Sequence, residues 1–372
     1  MRALIVVGTR PEAIKMAPLV DVLARASGID AKVCVTAQHR QMLDPMLAFF
    51  GIRPDYDLDI MAPGQSLLGM TSKALAGLDA VFSEARPDLV LVQGDTATTL
   101  AAALSAHYRQ ISVGHIEAGL RTGDLSAPWP EEANRRLTSV LAKYHFAPTS
   151  NARDNLLREG VSEEGIHVTG NTVVDALLNT VARTREDRAQ RDEMETRFAF
   201  LNPRKKLILV TGHRRENLGC GHEAVCRALL EIVRRGDVEI VFPVHLNPQV
   251  RQPVHRLLGN VPGIFLIGPQ EYLPFVYLMD RATLLITDSG GIQEEAPALG
   301  KPVLVTRDTT ERPEAVAAGT VRIVGTDEDT IVSETNRLLD DPVSYAAMAR
   351  AANPYGDGKA ALRIRDILVG GR

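Results

Sequence analysis

The chain has 372 residues and a mass of 40.5 kDa, a length that favours two domains, or one large domain, over a lone binding module. Hydrophobic residues make up 45% and charged residues 24% of it, as in globular proteins, which excludes disordered and fibrous classes. Lys and Arg number 42 against 46 Asp and Glu, and the resulting net charge of −4 argues against nucleic acid or anionic lipid as a partner. Any anionic ligand must therefore be bound by local cations.

Targeting and redox features predict a cytoplasmic protein. The apolar run at residues 4–7 is too short for the core of a signal peptide, and no segment reaches the length of a membrane span. The cysteines, Cys34, Cys220 and Cys226, are odd in number and lack metal-ligand spacing. We expect them to be reduced thiols that pack as small hydrophobic side chains.

Short, unbroken apolar runs rich in Val and Ile recur along the chain between longer helical stretches. Continuous rather than alternating runs indicate strands buried on both faces, and hence parallel sheets covered by helices. In chain order the predicted strands are residues 4–7, 32–36, 89–92, 111–115, 207–210, 239–242, 264–267, 284–287 and 302–305. The predicted fold class is therefore α/β.

The polar stretch 183–206 contains no predicted strand and separates two blocks that each begin with a buried strand. We place the hinge before it, which predicts an N-terminal domain of residues 1–170 and a C-terminal domain of residues 171–356. The first strands of the two blocks lead into similar loops, Gly8-Thr9-Arg10 and Gly212-His213-Arg214. Because ligands bind outside the carboxyl ends of parallel strands, we expect two doubly wound, Rossmann-like domains that face each other across a cleft.

Several common site patterns are missing from the sequence. The loop after the first strand lacks the three spaced glycines of the dinucleotide fingerprint, and neither Gly300-Lys301 nor Gly358-Lys359 is followed by the Ser or Thr of a P-loop. No HxxxH, CxxC or Asp-rich loop indicates a metal, and 5% aromatic residues do not support base stacking. We therefore expect no cofactor, no catalytic metal and no nucleic acid.

Two strand-to-helix loops carry features that favour an anion. Arg10 and Lys15 lie where the N-terminus of a helix already attracts negative charge, although both could be ordinary solvated charges. In the loop Ser289-Gly290-Gly291 the glycines let backbone N–H groups approach a diphosphate closely; the alternative is a simple tight turn.

Two further residues extend this second loop. Glu295 lies one turn into the helix and could accept hydrogen bonds from ribose hydroxyls, or serve only as an acidic residue favoured by the helix dipole. Arg312 would close the site with another cation, although an isolated Arg usually lies on the surface.

Three acids stand where proton transfer could occur. Asp95 directly follows the strand at residues 89–92, Glu117 follows the strand at 111–115, and Glu131 follows the Pro-Trp-Pro sequence. Asp95 could instead cap a helix, and Glu131 could be a first-turn residue. Their occurrence together in one half of the chain favours a carboxylate cluster for proton transfer.

Histidines supply the remaining candidates. His213 ends the first strand of the second half and could donate a hydrogen bond or a proton to a leaving phosphate. His39 and His245 are further candidates, each with a structural role as the alternative.

Eight segments together resemble the non-hydrolysing bacterial UDP-N-acetylglucosamine 2-epimerases. They are residues 8–18, 38–40, 93–96, 115–121, 128–132, 212–217, 288–295 and 307–314. The match extends from the first strand to residues 353–358 and so covers nearly the whole chain. The resemblance implies the fold of the B-type glycosyltransferases, with UDP held mainly by the second domain, and a cytoplasmic homodimer. It also implies that the C-terminal helix, about residues 357–372, packs back on the first domain.

The implied activity is a reversible conversion of UDP-GlcNAc to UDP-ManNAc, a precursor for cell-surface polysaccharide. By the resemblance, Arg10, Lys15, Asp95, Glu117 and His213 contact substrate or product. The residues that hold UDP are Gln270, Phe275, Ser289, Gly290, Gly291, Glu295 and Arg312, with Phe275 and the region of Gln270 beside the uracil. Related bacterial enzymes also bind a second UDP-GlcNAc as an allosteric activator, at positions that match Gln38, Gln41 and His245. Gln65 stands where some members have Arg.

The chemistry of this substrate explains the residue types. Carbon 2 of GlcNAc has no adjacent carbonyl, so the expected route is loss of UDP to give 2-acetamidoglucal, followed by re-addition. We assign Asp95, Glu117 and Glu131 to proton transfer and His213 to leaving-group assistance. The competing interpretations are a UDP-sugar glycosyltransferase of the same fold, a hydrolysing epimerase and a non-catalytic nucleotide-sugar sensor.

Overall fold

The computed structural model describes residues 1–37, 40–62, 64–217 and 219–370, with the backbone alone for Arg215. Two sequence candidates, Gln38 and His39, lie outside the described residues. The chain divides into two compact units. The first unit is Met1–Ala176 with the C-terminal segment from Tyr355, and the second unit is Leu177–Pro354.

The first unit contains a seven-stranded sheet in which every pairing is parallel. Its strands are β1 (Arg2–Val7), β2 (Asp30–Val35), β3 (Tyr56–Asp57), β4 (Leu89–Gln93), β5 (Ser112–Ile116), β6 (Tyr144–Ala147) and β7 (Ile166–Val168). They are ordered β3-β2-β1-β4-β5-β6-β7. The strand β1 is buried from Ala3 to Val7, as its unbroken apolar sequence predicts.

Besides the C-terminal helix, seven α-helices and one 3-10 turn of the described residues belong to the first unit or cross from it. They are α1 (Arg10–Ala24), α2 (Arg40–Phe49), α3 (Leu67–Ala85), α4 (Ala97–Tyr108), α5 (Glu131–Leu141), α6 (Ser150–Arg158), the 3-10 turn Glu163–Gly165, and α7 (Thr172–Glu186). The helix α7 begins in the first unit and continues into the second.

The second unit contains a six-stranded sheet, again parallel throughout. Its strands are β8 (Lys206–Thr211), β9 (Val238–Pro243), β10 (Ile264–Ile267), β11 (Leu284–Thr287), β12 (Val303–Val305) and β13 (Val321–Ile323). They are ordered β10-β9-β8-β11-β12-β13. The two parallel sheets with their helices confirm the predicted α/β class.

The remaining helices complete the two units. They are α8 (Arg188–Arg197), the 3-10 turn Arg215–Asn217, α9 (Cys220–Val233), α10 (Pro248–Leu258), α11 (Tyr272–Arg281), α12 (Gly290–Glu295), the 3-10 turn Ala296–Leu299, α13 (Pro313–Ala317), α14 (Glu328–Asp340), α15 (Pro342–Ala349) and α16 (Ala360–Gly370). The last helix belongs to the first unit and contacts α1 there. It begins at Ala360, three residues later than the sequence indicates, after a turn at residues 354–355.

All nine predicted strands are present, and four strands were missed: β3, β6, β7 and β13. The strand β3 has two residues, and the other three have a polar side chain within a run of three or four residues. Three of the four lie at sheet edges, where less burial leaves a weaker apolar pattern.

Each sheet has one topological switch point, a pair of adjacent strands from which the following strands are added toward opposite edges of the sheet. In the first unit it lies between β1 and β4, and in the second between β8 and β11. The loops after these four strands contain Gly8 and Asp95 in the first unit, and His213 and Asp288 in the second. In open parallel sheets, ligands bind at this position.

Two smaller points concern burial and membrane contact. Cys34 and Cys226 are buried as predicted, whereas Cys220, the first residue of α9, is exposed, so the packing prediction is wrong for this residue. Within the described ranges, none of the helices combines the length and the hydropathy that a bilayer crossing requires.

Candidate active site

The loop between β1 and α1 is organised by a capping box. Thr9 is the N-cap of α1 and Glu12 its reciprocal partner, whose Oε2 accepts hydrogen bonds from the backbone N–H groups of Gly8 (2.9 Å) and Thr9 (2.7 Å). Arg10 is the first helical residue, so its side chain begins where unpaired N–H groups concentrate positive potential. Among the described residues, no carboxylate forms an ion pair with Arg10.

Glu12 also joins this loop to the loop after β4. Its Oε1 accepts hydrogen bonds from the hydroxyls of Thr96 (2.7 Å) and Thr99 (3.2 Å), and the side chain is buried. Burial raises the pKa of this carboxyl, against the hydrogen bonds that lower it. Because the buried Glu12 carboxylate accepts hydrogen bonds from both loops, it fixes the distance between the loop after β1 and the loop after β4.

Gly8 allows the two loops to approach closely. A Cβ at this position would lie 2.2 Å from Oγ1 of Thr98 and 2.5 Å from Oγ1 of Thr36, and those hydroxyls hydrogen-bond each other at 2.8 Å. Any side chain here would separate the strand from the helix α4.

A cavity of about 440 Å³ opens beside these loops. It brings together Arg10, Asp95 and Glu131, three of the sequence candidates. Glu131 is the first residue of α5, as its alternative first-turn role requires, yet its Oε2 is buried and has no hydrogen-bond partner among the described residues. A buried, unpartnered carboxylate oxygen is costly for folding alone, which favours a functional role over the structural one.

Asp95 does not cap α4, because Thr96 is the N-cap of that helix. The carboxylate of Asp95 instead forms an ion pair with Arg135 of α5, with 2.7 Å between Nη2 and Oδ2, and Asn134 donates to its backbone carbonyl at 2.8 Å. Arg135 also contacts the buried Glu132 at 3.2 Å. The helix α5 therefore orients Asp95 toward the cavity that both line.

Glu117 lies in a different local environment. It follows β5 with a positive φ of 63°, and its buried carboxylate accepts hydrogen bonds from Nζ of Lys15 (2.5 Å) and Nδ2 of Asn171 (2.9 Å). It is not among the residues that line the cavity described above. Asp95 and Glu117 thus follow the adjacent strands β4 and β5, and Glu131 begins α5. Of these three acids, Asp95 and Glu131 line the cavity and Glu117 does not.

The buried His115 of β5 supports the loop that carries Asp95. Its Nε2 lies 2.7 Å from the carbonyl oxygen of Gly94, and burial lowers the pKa of the imidazole to about 3. The ring is therefore neutral, and Nε2 must carry the proton because a carbonyl oxygen can only accept.

In the second unit, Asp288 joins the two loops at the switch point. Its Oδ2 accepts hydrogen bonds from the backbone N–H groups of His213 and Arg214, each at 2.8 Å, and its Oδ1 lies 3.3 Å from Nδ1 of His213. Burial by itself raises the pKa of the Asp288 carboxyl, but the bonds from His213 and Arg214 outweigh it and hold this pKa below the usual range. An ionised Asp288 therefore orients His213.

The outer face of His213 is open to solvent, and its ring stacks on that of His245 with 5.7 Å between the centroids. Nδ1 of His245 accepts a hydrogen bond from the backbone N–H of Asn247 at 3.1 Å. His245 is thereby held beside His213 rather than being an isolated surface residue.

The glycines after Ser289 lie in a cationic environment. Ser289 is the N-cap of α12, and a Cβ on Gly290 would lie 3.8 Å from the guanidinium groups of both Arg214 and Arg312. Arg312 is held by an ion pair with the buried Glu294. Two guanidinium groups beside the N-terminus of α12 form a surface suited to a phosphate.

The other sequence candidates occupy the second unit and the helix α2. Oε1 of Gln270 accepts a hydrogen bond from Arg197 at 2.9 Å, and Phe275 lies half-buried in the first turns of α11. Oε2 of Glu295 lies close to Gly291, 3.7 Å from the position of a Cβ there. Gln41 is exposed on α2, and Gln65 accepts a hydrogen bond from Lys73 at 3.5 Å.

Sequence reasoning missed five residues that organise these loops. The capping-box spacing from Thr9 to Glu12 is a local signal that could have identified Glu12. The other four form contacts between residues far apart in the chain, for which no local pattern exists: Arg135, Asn171, Arg214 and Asp288. Across the described part of the chain, no group of three or more His, Cys, Asp and Glu side chains is arranged to hold a metal ion.

Comparison with known proteins identifies the family of this chain. The sequence model of the UDP-N-acetylglucosamine 2-epimerase family matches residues 21–369. The UDP-N-acetylglucosamine 2-epimerase of Escherichia coli (strain K12) is 60% identical over 373 residues, which cover 100% of this chain and 99% of that protein.

Two crystal structures of relatives carry nucleotide ligands. The Neisseria meningitidis UDP-GlcNAc 2-epimerase bound to UDP-GlcNAc is 52% identical with a TM-score of 0.90 and full coverage of both chains. The Methanocaldococcus jannaschii enzyme in complex with UDP-GlcNAc and UDP is 35% identical with a TM-score of 0.80, also over 100% of both chains. These matches confirm the resemblance found in the sequence: the chain belongs to the UDP-N-acetylglucosamine 2-epimerase family.

Proposed function

We propose that this protein reversibly epimerises UDP-N-acetylglucosamine to UDP-N-acetylmannosamine at carbon 2 of the sugar. The observation that carries the proposal is the set of polar side chains at the two switch points. Carboxylates lie beside Arg10 at the first. At the second, His213 and Asp288 lie beside the glycines that follow Ser289 and their neighbouring guanidinium groups. The family membership and the UDP-GlcNAc bound to the Neisseria relative indicate the same substrate.

The substrate requires an elimination. The hydrogen on carbon 2 is not acidic, because no carbonyl adjoins that carbon. When the bond between carbon 1 and the diphosphate oxygen breaks, its electron pair leaves with UDP and positive charge develops beside carbon 2. A carboxylate then takes the carbon 2 proton, and the C–H electrons form the double bond of 2-acetamidoglucal.

The return step inverts the configuration. A protonated carboxyl on the opposite face of the ring delivers a proton to carbon 2, and the diphosphate oxygen of UDP attacks carbon 1. The sum of both steps is an isomerisation with no net gain or loss of atoms or electrons. Two faces need two proton-transfer groups, which Asp95, Glu117 and Glu131 supply between them.

The departing diphosphate needs positive charge and a proton donor. Arg10 and Lys15 contribute cations from the first unit. In the second unit we assign the diphosphate to Ser289, Gly290, Gly291 and Arg312, the ribose to Glu295, and the uracil to Phe275 and Gln270. His213 assists the leaving oxygen as the imidazolium that an ionised Asp288 stabilises.

Two further parts of the proposal concern regulation and assembly. We assign Gln38, Gln41 and His245 to a second UDP-GlcNAc that activates the enzyme, and we propose a homodimer that works in the cytoplasm. The product would supply N-acetylmannosamine units for cell-surface polysaccharide. A glycosyltransferase is not favoured, because the family match over residues 21–369 is to the epimerases.

The test is to incubate the protein with UDP-GlcNAc alone in heavy water and follow carbon 2 by proton NMR. We expect UDP-ManNAc that carries deuterium at carbon 2, without an acceptor or NAD. Asp95→Asn, Glu117→Gln and Glu131→Gln should each slow exchange strongly while the substrate still binds, whereas Asp21→Asn on the exposed side of α1 should not. An unchanged carbon 2 proton in the wild-type reaction would refute the proposal.

A further inference from the structure

Asn171 stands where the chain leaves the first unit. It follows β7 by three residues and immediately precedes α7, the helix that continues into the second unit after Ala176. The residue is buried although it is polar and lies between two elements. A buried amide in such a position needs partners for both its donor and its acceptor.

The side chain of Asn171 serves two partners at once. Its Oδ1 accepts a hydrogen bond from the backbone N–H of Val173 at 3.2 Å, which caps the first turn of α7. Its Nδ2 donates to Oε2 of Glu117 at 2.9 Å. The same residue therefore begins the crossing helix and holds the proton-transfer carboxylate of the proposed reaction.

The returning chain meets the same residue. The backbone N–H of Asn171 donates to the carbonyl oxygen of Tyr355 at 2.7 Å, and Tyr355 is the first residue of the first unit after the second crossing. Gly170 and Gly356 allow this approach, because a Cβ on Gly170 would lie 3.2 Å from the Cα of Gly356. Both crossings of the chain thus converge on Asn171.

Among the described residues, groups from three different elements contact the Glu117 carboxylate or act on it electrostatically. Lys15 of α1 and Asn171 contact it directly, and His115 of β5 interacts with it through space. Lys15 has a basic side chain, and burial lowers the pKa of His115 to about 3. Asn171 is the member of the set whose side chain does not titrate, so its replacement changes a hydrogen bond without changing a charge.

We propose that Asn171 is a positioning residue for Glu117. Asn171 anchors this carboxylate to the point where the chain leaves and re-enters the first unit. The inference rests on the proposed function, in which Glu117 transfers a proton. Donation from Nδ2 orients the carboxylate of Glu117 and favours the ionised form that can accept the carbon 2 proton.

The variant that separates this role from helix capping is Asn171→Ser. A serine can still cap α7, because its hydroxyl accepts from a backbone N–H, but it is too short to reach Glu117. The matched control is Asn155→Ser. Asn155 of α6 donates from Nδ2 to the carbonyl oxygen of Gly119 at 2.8 Å, so this change loosens the same loop without touching the carboxylate.

Two measurements decide the proposal. In steady-state epimerisation, Asn171→Ser should lower kcat at least about tenfold with KM within about twofold, whereas Asn155→Ser should leave kcat within about twofold. In a carbon-13 NMR titration of the Glu117 carboxyl, assigned with Glu117→Gln, Asn171→Ser should move the midpoint upward, because a donor that favours the ionised form is lost.

The outcomes are distinguishable from those of the proposed function. A wild-type protein that does not epimerise UDP-GlcNAc refutes the proposed function, while the NMR titration still tests the contact. An unmoved midpoint in Asn171→Ser, or an equal loss of kcat in Asn155→Ser, overturns the assignment of Asn171.

Discussion

Replacing Asp288 by Asn removes one charge from the switch point of the second unit with almost no change in shape. The carboxylate accepts two backbone N–H groups with one oxygen and faces Nδ1 of His213 with the other. An Asn can keep its oxygen on the backbone groups only by turning its NH₂ toward His213. Nδ1 of His213 must then accept, and the imidazolium loses its counter-ion.

The size of the effect follows from these contacts. Hydrogen bonds to a charged group contribute about 1.5–3 kcal/mol and neutral ones about 0.5–1.5, so the two backbone bonds lose roughly 2 kcal/mol together. For a unit of this size, that corresponds to a decrease in Tm of about 4–8 °C. Because general acid catalysis contributes about 10²–10⁴-fold, we expect Asp288→Asn to lower kcat by about 10²-fold or more.

The assay is a double-mutant cycle with His213→Asn. If Asp288 acts through His213, the double variant should be no slower than His213→Asn alone. Asp341→Ala is a control for stability, since Asp341 caps α15 through the backbone N–H of Val343 at 2.9 Å. A wild-type kcat in Asp288→Asn, or independent effects that multiply in the double variant, would refute the reasoning.

Two further predictions concern the first unit. Gly8→Ala should decrease the Tm by several degrees and slow turnover, because the new Cβ would lie 2.2 Å from Oγ1 of Thr98. The control is Gly370→Ala, whose Cβ would meet nothing within 4 Å and which should change neither the Tm in calorimetry nor the rate in kinetic assays. Equal Tm values for the two variants would contradict this prediction. Burial lowers the pKa of His115 to about 3, so below about pH 6.5 the unfolded chain binds a proton that the folded protein does not. The free energy of unfolding should therefore fall as pH decreases from about 6.5 toward 3, by up to about 1.4 kcal/mol per pH unit. His115→Gln should remove this part of the acid sensitivity in denaturation measured between about pH 5 and pH 7, and an unchanged pH dependence would show that His115 is not its source.

The sequence by itself determined the local features of this protein. Unbroken apolar runs identified nine of the strands, because a strand buried on both faces needs apolar side chains on both. The same apolar runs indicate the positions of Arg10 and Ser289 at helix starts, since a residue just after a buried strand lies at the carboxyl edge of the sheet. The family was also evident from its motifs, which the comparisons confirmed.

The tertiary structure decided which of these loops meet. Strand order places β1 beside β4 and β8 beside β11, so Glu12 reaches Thr96 over 84 residues and Asp288 reaches His213 over 75. Lys15 and Glu117 pair over 102 residues for the same reason. The residues of a capping box lie within one turn of helix and so are close in sequence, whereas these contacts depend on how the strands are ordered in a whole sheet. For that reason the sequence indicated the candidate acids and cations, but not that Asp288 orients His213 or that Asn171 holds Glu117.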